Sequence, residues 1–290
     1  MNLLFKGDFW MDKNELKALK IMATKIRKSI VDTVYNAQSG HPGGSLSCAD
    51  ILTVLYFKQM RIREKEPKWE DRDRFVLSKG HCSPALYSTL AQRGFFPVED
   101  LKTFRKTESY LEGHPNMKYV PGVDMSTGSL GQGISVACGM ALAGKIDKKD
   151  YRVFSIIGDG EMEEGQVWEA FMAAAHYKLD NLTVFLDYNG LQIDGEIDKV
   201  LSPNPVTDKF KAFGWNVLSI DGNDISQIDD AINIAKQMKG KPTVIVAKTT
   251  KGKGVSFMEN QAGWHGKAPN EEQRDIAISE LDKILASLEG

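Results

Sequence analysis

Two short runs of apolar, largely β-branched residues, separated by a single amphipathic stretch, constrain this chain more than any other feature. Arg152 to Ile157 and Leu182 to Leu186 each have the length and composition of a buried parallel strand. Between them, Gln166 to Lys178 places Val167, Phe171, Ala174 and Ala175 at helical intervals, a stripe that continues to Leu179. The segment therefore reads as one β-α-β unit, and the right-handed crossover of such units returns the chain to a neighbouring parallel strand. That predicts an α/β fold: a doubly wound, mostly parallel sheet flanked by helices.

The residues just beyond each strand carry the chemistry. Gly158-Asp159-Gly160 succeeds the first run and Asn189 lies just past the second, so both fall on the carboxyl edge of the sheet, where such folds bind ligands. A carboxylate and a carboxamide are hard oxygen donors suited to magnesium, whose shell phosphate oxygens and a backbone carbonyl can complete. Gly158 and Gly160 leave no side chain in the way of a bulky anion. Gly-Asp-Gly alone is also an ordinary turn. Its place between two strands, with Asn189 opposite, makes it a candidate divalent-metal and diphosphate cradle.

The chain has five histidines, and four of them adjoin glycine: Gly40-His41-Pro42-Gly43-Gly44, Lys79-Gly80-His81, Gly113-His114-Pro115 and Trp264-His265-Gly266. His176 lies inside the predicted helix. Imidazoles set in rigid Gly/Pro loops suit presentation to a pocket, and they titrate near neutrality. Their spacing is not that of a zinc site, and Cys48, Cys82 and Cys138 are scattered.

The rest of the chain supplies the frame. Leu16, Leu19, Met22, Ile26, Ile30 and Val34 recur every three or four residues, predicting a helix over Glu15 to Ala37 that Gly40 and Pro42 end. A strand is expected over Phe75 to Leu77 and a helix over Ala85 to Gln92. Gly131 to Leu142, rich in Gly and Ala, reads as a helix able to pack closely on the sheet. Its start follows Gly128-Ser129-Leu130, which places backbone amides toward a ligand. Strands over Asn216 to Ile220 and Thr243 to Ala247 enclose a helix over Ile225 to Met238. A last amphipathic helix runs from Asp275 to Leu288 and gives the chain the look of a finished unit.

A chain of 290 residues holds one large α/β core, and no composition shift marks a second domain. Net charge is −2 with dispersed basic residues, which excludes nucleic acid as a main partner. No apolar run is long enough for a membrane span. Met1 to Trp10 lacks the core and cleavage site of a signal peptide, so residues 1–14 read as an N-terminal extension, with Met11 an alternative start. An odd, scattered cysteine set suits a reducing cytosol, and a cytoplasmic location is expected.

Six stretches resemble transketolase, a thiamine-diphosphate enzyme: SGHPGGSLSCADILTVLYF from Ser39, DRFVLSKGHCSPALYSTLAQRGFF from Asp73, GHPNMKYVPGVDMSTGSLGQGISVACGMALA from Gly113, GDGEMEEGQVWEA from Gly158, LDYNGLQIDG from Leu186 and GWHGKAP from Gly263. They occur in family order and span nearly all of the chain after about residue 20. The matching portion is the diphosphate-binding domain, here 15–290. The family's pyrimidine-binding and C-terminal domains do not follow it, so the chain resembles the N-terminal subunit of a split transketolase.

The resemblance implies roles for particular residues. Asp159, Asn189 and the carbonyl of Leu191 match the family's metal ligands, for Mg2+ or another divalent cation such as Ca2+ or Mn2+. Gly158 and Gly160 match the diphosphate cradle, His81 and His265 approach the diphosphate, and His41, His114 and His265 approach the donor sugar's hydroxyls. Gly128 and Leu130 match the loop that holds the bent cofactor. Serine at 129, where many transketolases have proline, departs from that loop's usual pattern. Glu164 and Glu169 match glutamates at the subunit interface, beside the partner's activating glutamate, although the helix macrodipole alone also favours acids there. The implied reaction moves a two-carbon ketol unit from a ketose phosphate to an aldose phosphate. The implied assembly is an α2β2 complex with a C-terminal subunit carrying the pyrimidine-binding domain. Alternatives are 1-deoxyxylulose-5-phosphate synthase, the alpha subunit of a 2-oxo-acid dehydrogenase, which shares the metal motif but not the Gly-His loops, and a non-catalytic nucleotide- or diphosphate-binding module on the same fold.

Overall fold

The structure is a computed structural model that describes residues 11–290. The first ten residues of the expected N-terminal extension lie outside the described residues. The helices are α1 (Lys13–Ala37), α2 (Pro42–Ser47), α3 (Ala49–Val54), α4 (Ser83–Arg93), α5 (Gln132–Ile146), α6 (Gly165–His176), α7 (Ile197–Val200), α8 (Val206–Ala212), α9 (Ile225–Gln237) and α10 (Glu271–Glu289). The strands are β1 (Arg74–Leu77), β2 (Val153–Gly158), β3 (Leu182–Tyr188), β4 (Leu191–Gln192), β5 (Gly195–Glu196), β6 (Asn216–Asp221) and β7 (Thr243–Lys248).

Five strands form one sheet in the order β1-β2-β3-β7-β6, every pair parallel, and β4-β5 is a small separate hairpin. The order dictates where the helices go. From β1 through β2 and β3 to β6 the chain steps in one direction, and right-handed crossovers put α5, α6 and α8 on one face. The step from β6 back to β7 reverses direction, so α9 lands on the other face, with α1, α3, α4 and α10.

Buried strands read as near-continuous apolar runs because both faces are covered. Phe154, Ile156, Phe185 and Ile245 join the core beneath α1, α3 and α9, while Val153, Ile157, Val184, Leu186, Val244 and Val246 join the core beneath α5, α6 and α8.

The expected elements are present with shifts of a few residues at their ends. The first helix starts at Lys13 rather than Glu15, and the last starts at Glu271 rather than Asp275, because Asn270 and Gln273 form a capping box there. Short helix α2 begins inside the stretch expected as the His41 loop, and α3 follows it. Pro42 opens the first of them, and all six of its residues are buried. Gly133 justifies the close-packing expectation for α5: a Cβ there would stand 2.7 Å from Ser78 Cα.

Candidate functional site

The tips of β2 and β3 meet as the β-α-β unit requires. Gly158 pairs with Asp187 in parallel register, so Asp159 and the turn after Tyr188 emerge side by side. The buried Asp159 carboxylate accepts the N–H groups of Gly160 (2.9 Å) and Gly190 (2.6 Å), the second bond tying one strand tip to the other. Asn189 Oδ1 accepts the Leu191 N–H at 3.2 Å. Asp159, Asn189 and Leu191 line one pocket together with Gly158, Gly160, Gly128, Leu130, His41, His81 and His265.

Burial, and then the adjacent Asp187, push the Asp159 carboxyl up to about 6, while the two N–H bonds pull it back. A carboxylate so crowded gains from a cation. The Leu191 carbonyl accepts from Lys251 Nζ at 3.1 Å, and that ammonium also meets His265 Nδ1 at 3.1 Å, so positive charge already stands beside the three oxygen donors. Among the described residues no group of three or more His, Cys, Asp or Glu side chains is disposed to hold a metal. A cation here would rest on one carboxylate plus amide and carbonyl oxygens, which suits a hard ion and not zinc. The cradle fits a metal-bound diphosphate on that donor set. His41 Nδ1, in the same pocket, is buried without a hydrogen-bond partner.

Three histidines converge. The ring centroids of His41 and His81 are 5.1 Å apart, those of His81 and His265 5.2 Å, and those of His41 and His265 5.4 Å. Burial is the first cause that depresses each, followed by neighbouring cations and imidazoles: His41 and His81 fall to about 4 and His265 to about 3. All three are neutral at pH 7. His114 stands apart on the rim, exposed, with its ring against Gly128, where an added Cβ would come within 3.2 Å. Glu164 and Glu169 are also exposed and off the pocket lining.

Sequence reasoning missed the buried charges beneath the cradle. Asp187, fully buried, accepts from the Lys79 ammonium, the Thr249 hydroxyl and the Ser47 hydroxyl (2.6 Å), and Asn189 Nδ2 lies 3.4 Å away. Lys79 Nζ also donates to the Gly44 carbonyl at 2.7 Å. Glu161, rather than Glu164, turns inward: its carboxylate takes the N–H groups of Gly131 (2.8 Å) and Gly158 (3.0 Å) and the Ser78 hydroxyl, locking two glycine loops of the cradle together. The only sequence signals were adjacency: Lys79 precedes Gly80-His81, Asp187 precedes Asn189 by two, and Glu161 follows Gly160.

This sheet edge, with its oxygen donors, glycine loops and neutral imidazoles, defines a diphosphate-binding α/β domain. The family model described as the thiamine diphosphate binding domain of transketolase matches residues 18–281. The chain is 44% identical over 275 residues to one subunit of the apulose-4-phosphate transketolase of Phocaeicola vulgatus, covering 95% of this chain and 98% of that protein. It is 46% identical over 265 residues to a 6-deoxy-6-sulfo-D-fructose transketolase subunit of a Clostridium species, covering 91% and 96%. Human transketolase is 42% identical over 284 residues, 95% of this chain but 44% of the human one. The solved transketolase of Campylobacter jejuni superposes with a TM-score of 0.87 at 35% identity, over 96% of this chain and 46% of that one.

The chain belongs to the transketolase family, as its thiamine-diphosphate-binding domain. Relatives it matches end to end carry this domain as a separate subunit of a split enzyme. The transketolase expectation thereby prevails over the other thiamine-diphosphate enzymes and over the non-catalytic module.

Proposed function

We propose that this chain is the cofactor-holding half of a ketol-transferring pair. On this reading it binds thiamine diphosphate through a divalent cation on Asp159, Asn189 and the Leu191 carbonyl. The observation that carries the reading is the hydrogen bond from Gly190 to Asp159, which sets these oxygen donors on two adjacent strand tips below the histidine cluster. Bound there, thiamine diphosphate would supply the electron sink for breaking a carbon–carbon bond.

The chain's own residues do the rest. Gly158, Gly160 and Gly128 admit the diphosphate, Leu130 gives the cofactor an apolar contact, and Lys251 adds positive charge opposite it. His41 and His265, neutral and close-set, accept hydrogen bonds from sugar hydroxyls and hold a proton taken from them. His81 borders the diphosphate side, and His114 meets substrate from the rim. A placed imidazole of this kind contributes about a hundredfold to ten-thousandfold in rate.

The partner, on this reading, carries the pyrimidine-binding domain and docks beside Glu164 and Glu169. Support comes from the outer face of α5 and α6, where Gly139, Ala143 and Met172 are exposed and Val136, Met140 and Ala173 are half-buried. On this reading the assembly is α2β2 and acts on ketose and aldose phosphates in the cytosol. The three cysteines are free and buried, and among the described residues no helix is long and apolar enough to cross a membrane. Co-expression with a chain carrying the pyrimidine-binding and C-terminal domains tests the proposal. Ketol transfer should require both chains, a divalent cation and thiamine diphosphate; turnover by this chain alone would refute it.

A further inference from the structure

The sheet has a second place where its connections part. The chain leaving β3 turns to α8 on one face and the chain leaving β6 turns to α9 on the other, with β7 between them. Connections that diverge to opposite faces open a crevice at the carboxyl edge, and open α/β sheets bind ligands in such crevices. One of about 740 Å3 lies there, lined by the tips of β3, β7 and β6 and by the start of α8. Its volume is that of a small-molecule site. It shares no lining residue with the cradle pocket, which lies on the other side of the β3 tip.

The strand register sets its chemistry. Tyr188 pairs with Lys248 and Lys248 with Asp221, so an aromatic ring, a cation and a carboxylate stand in one row across three strands. Val246, two residues before Lys248, packs into the core beneath α8, so strand alternation turns the row to that same face. Lys248 is exposed, and although it adjoins Asp221, no carboxylate lies within ion-pair distance of its ammonium among the described residues. Asp221 commits Oδ1 to the Asn223 N–H at 2.9 Å, and its Oδ2 has no partner among those residues. Nor do the hydroxyls of Thr207, Ser219 and Thr250, which line the same crevice. The Tyr188 hydroxyl is held by Asn204 at 2.9 Å, which fixes the ring as one wall.

We propose that this second crevice binds a small polyhydroxylated anion, of the sugar-phosphate class, with the anionic group on Lys248 and hydroxyl groups on Asp221. Lys248 by itself would take any anion. Asp221 selects among them: one strand away, it repels a bare oxyanion but accepts hydrogen bonds from a ligand whose anionic group is followed by O–H groups. The carbon skeleton of such a ligand lies against the Tyr188 ring, and the threonine and serine hydroxyls meet its remaining oxygens. No residue of the cradle takes part, so the crevice binds its ligand independently of the ketol-transfer reading.

The test titrates the full chain with glycerol 3-phosphate and with inorganic phosphate, followed by ligand-observed NMR. Glycerol 3-phosphate should bind in the millimolar range, at least about fivefold more tightly than inorganic phosphate. Lys248→Met should weaken it about tenfold or more, while Lys251→Met, in the cradle, should change it less than about twofold. Asp221→Asn should narrow the gap between the two ligands, mainly by tightening inorganic phosphate. Both crevice side chains are exposed, so a urea midpoint equal to wild type separates lost binding from lost folding. Binding lost in Lys251→Met and kept in Lys248→Met would put the ligand in the cradle. Equal affinity for the two ligands would deny Asp221 its selecting part, and no binding of glycerol 3-phosphate up to about 50 mM would deny the crevice this class of ligand. Each of these three results overturns the proposal.

Discussion

The backbone N–H of Gly190 reaches across from the tip of β3 to the Asp159 carboxylate on the tip of β2, at 2.6 Å. One bond thereby fixes the distance between the candidate metal's acidic ligand and the turn that bears Asn189 and Leu191. The site is organised by the sheet itself and not by a flexible loop.

Asp159→Asn keeps the shape and both backbone N–H groups nearby but removes the charge. Cofactor affinity of the assembled enzyme, measured by calorimetry with excess magnesium, should fall at least about a hundredfold, with a more-than-twofold change in activation by different divalent ions. Unchanged affinity would dissociate Asp159 from the metal.

Lys79 and Asp187 form an ion pair whose side chains are 3% and 0% exposed. Removing one partner, as in Lys79→Met, leaves a charge buried and should cost about 3–5 kcal/mol in urea unfolding. The Lys79→Met, Asp187→Asn double variant should cost less than the sum of the singles. Strict additivity would show that the two groups do not act as a unit.

The three depressed histidines link stability to pH. Each has a folded-state value below the unfolded 6.5, near 4 for His41 and His81 and near 3 for His265, so the unfolded chain binds protons first as pH falls. Their stability contribution is complete above pH 6.5 and is lost progressively as pH falls, down to about 4 for His41 and His81 and to about 3 for His265. The urea midpoint should therefore drop between pH 7.5 and pH 5, and His81→Asn should shrink that drop. An undiminished drop in His81→Asn would assign the linkage to other groups.

Two glycines of α5 should behave oppositely. Gly133→Ala brings a Cβ within 2.7 Å of Ser78, so it should destabilise by about 1–3 kcal/mol and disturb the Glu161 network. Gly139 has nothing within 4 Å, and Gly139→Ala in the isolated chain should stabilise by about 0.5–1 kcal/mol through helix propensity. If α5 docks the partner, the same Gly139→Ala substitution should weaken association measured by analytical ultracentrifugation.

Strand adjacency was legible because it is local: two short β-branched runs, a helical stripe between them and glycine after the first leave little freedom. The oxygen donors at the strand tips followed from that topology, and the gathering of His41, His81 and His265 was signalled by glycine neighbours. The buried charges were not legible. Lys79 meets Asp187 from 108 residues away and Glu161 meets Gly131 from 30, and no periodicity encodes such pairings. Helix α2 was hidden because Gly43-Gly44 argues for a loop, and only burial against the sheet edge overrides that propensity. His114 looked like its fellows in sequence, yet its loop sets it on the rim with its ring against Gly128.

Helix α10 lies against α1, with Arg274 bonded to Asp32 at 2.7 Å. The stretch from Thr249 to Asn270, which delivers Lys251 and His265, is therefore pinned at one end by β7 and at the other by this clasp. A strand-bound hinge and a helical latch turn what could have been a loose flap into a fixed bracket. Mutations far out on the α1–α10 seam should then be felt at the imidazole of His265.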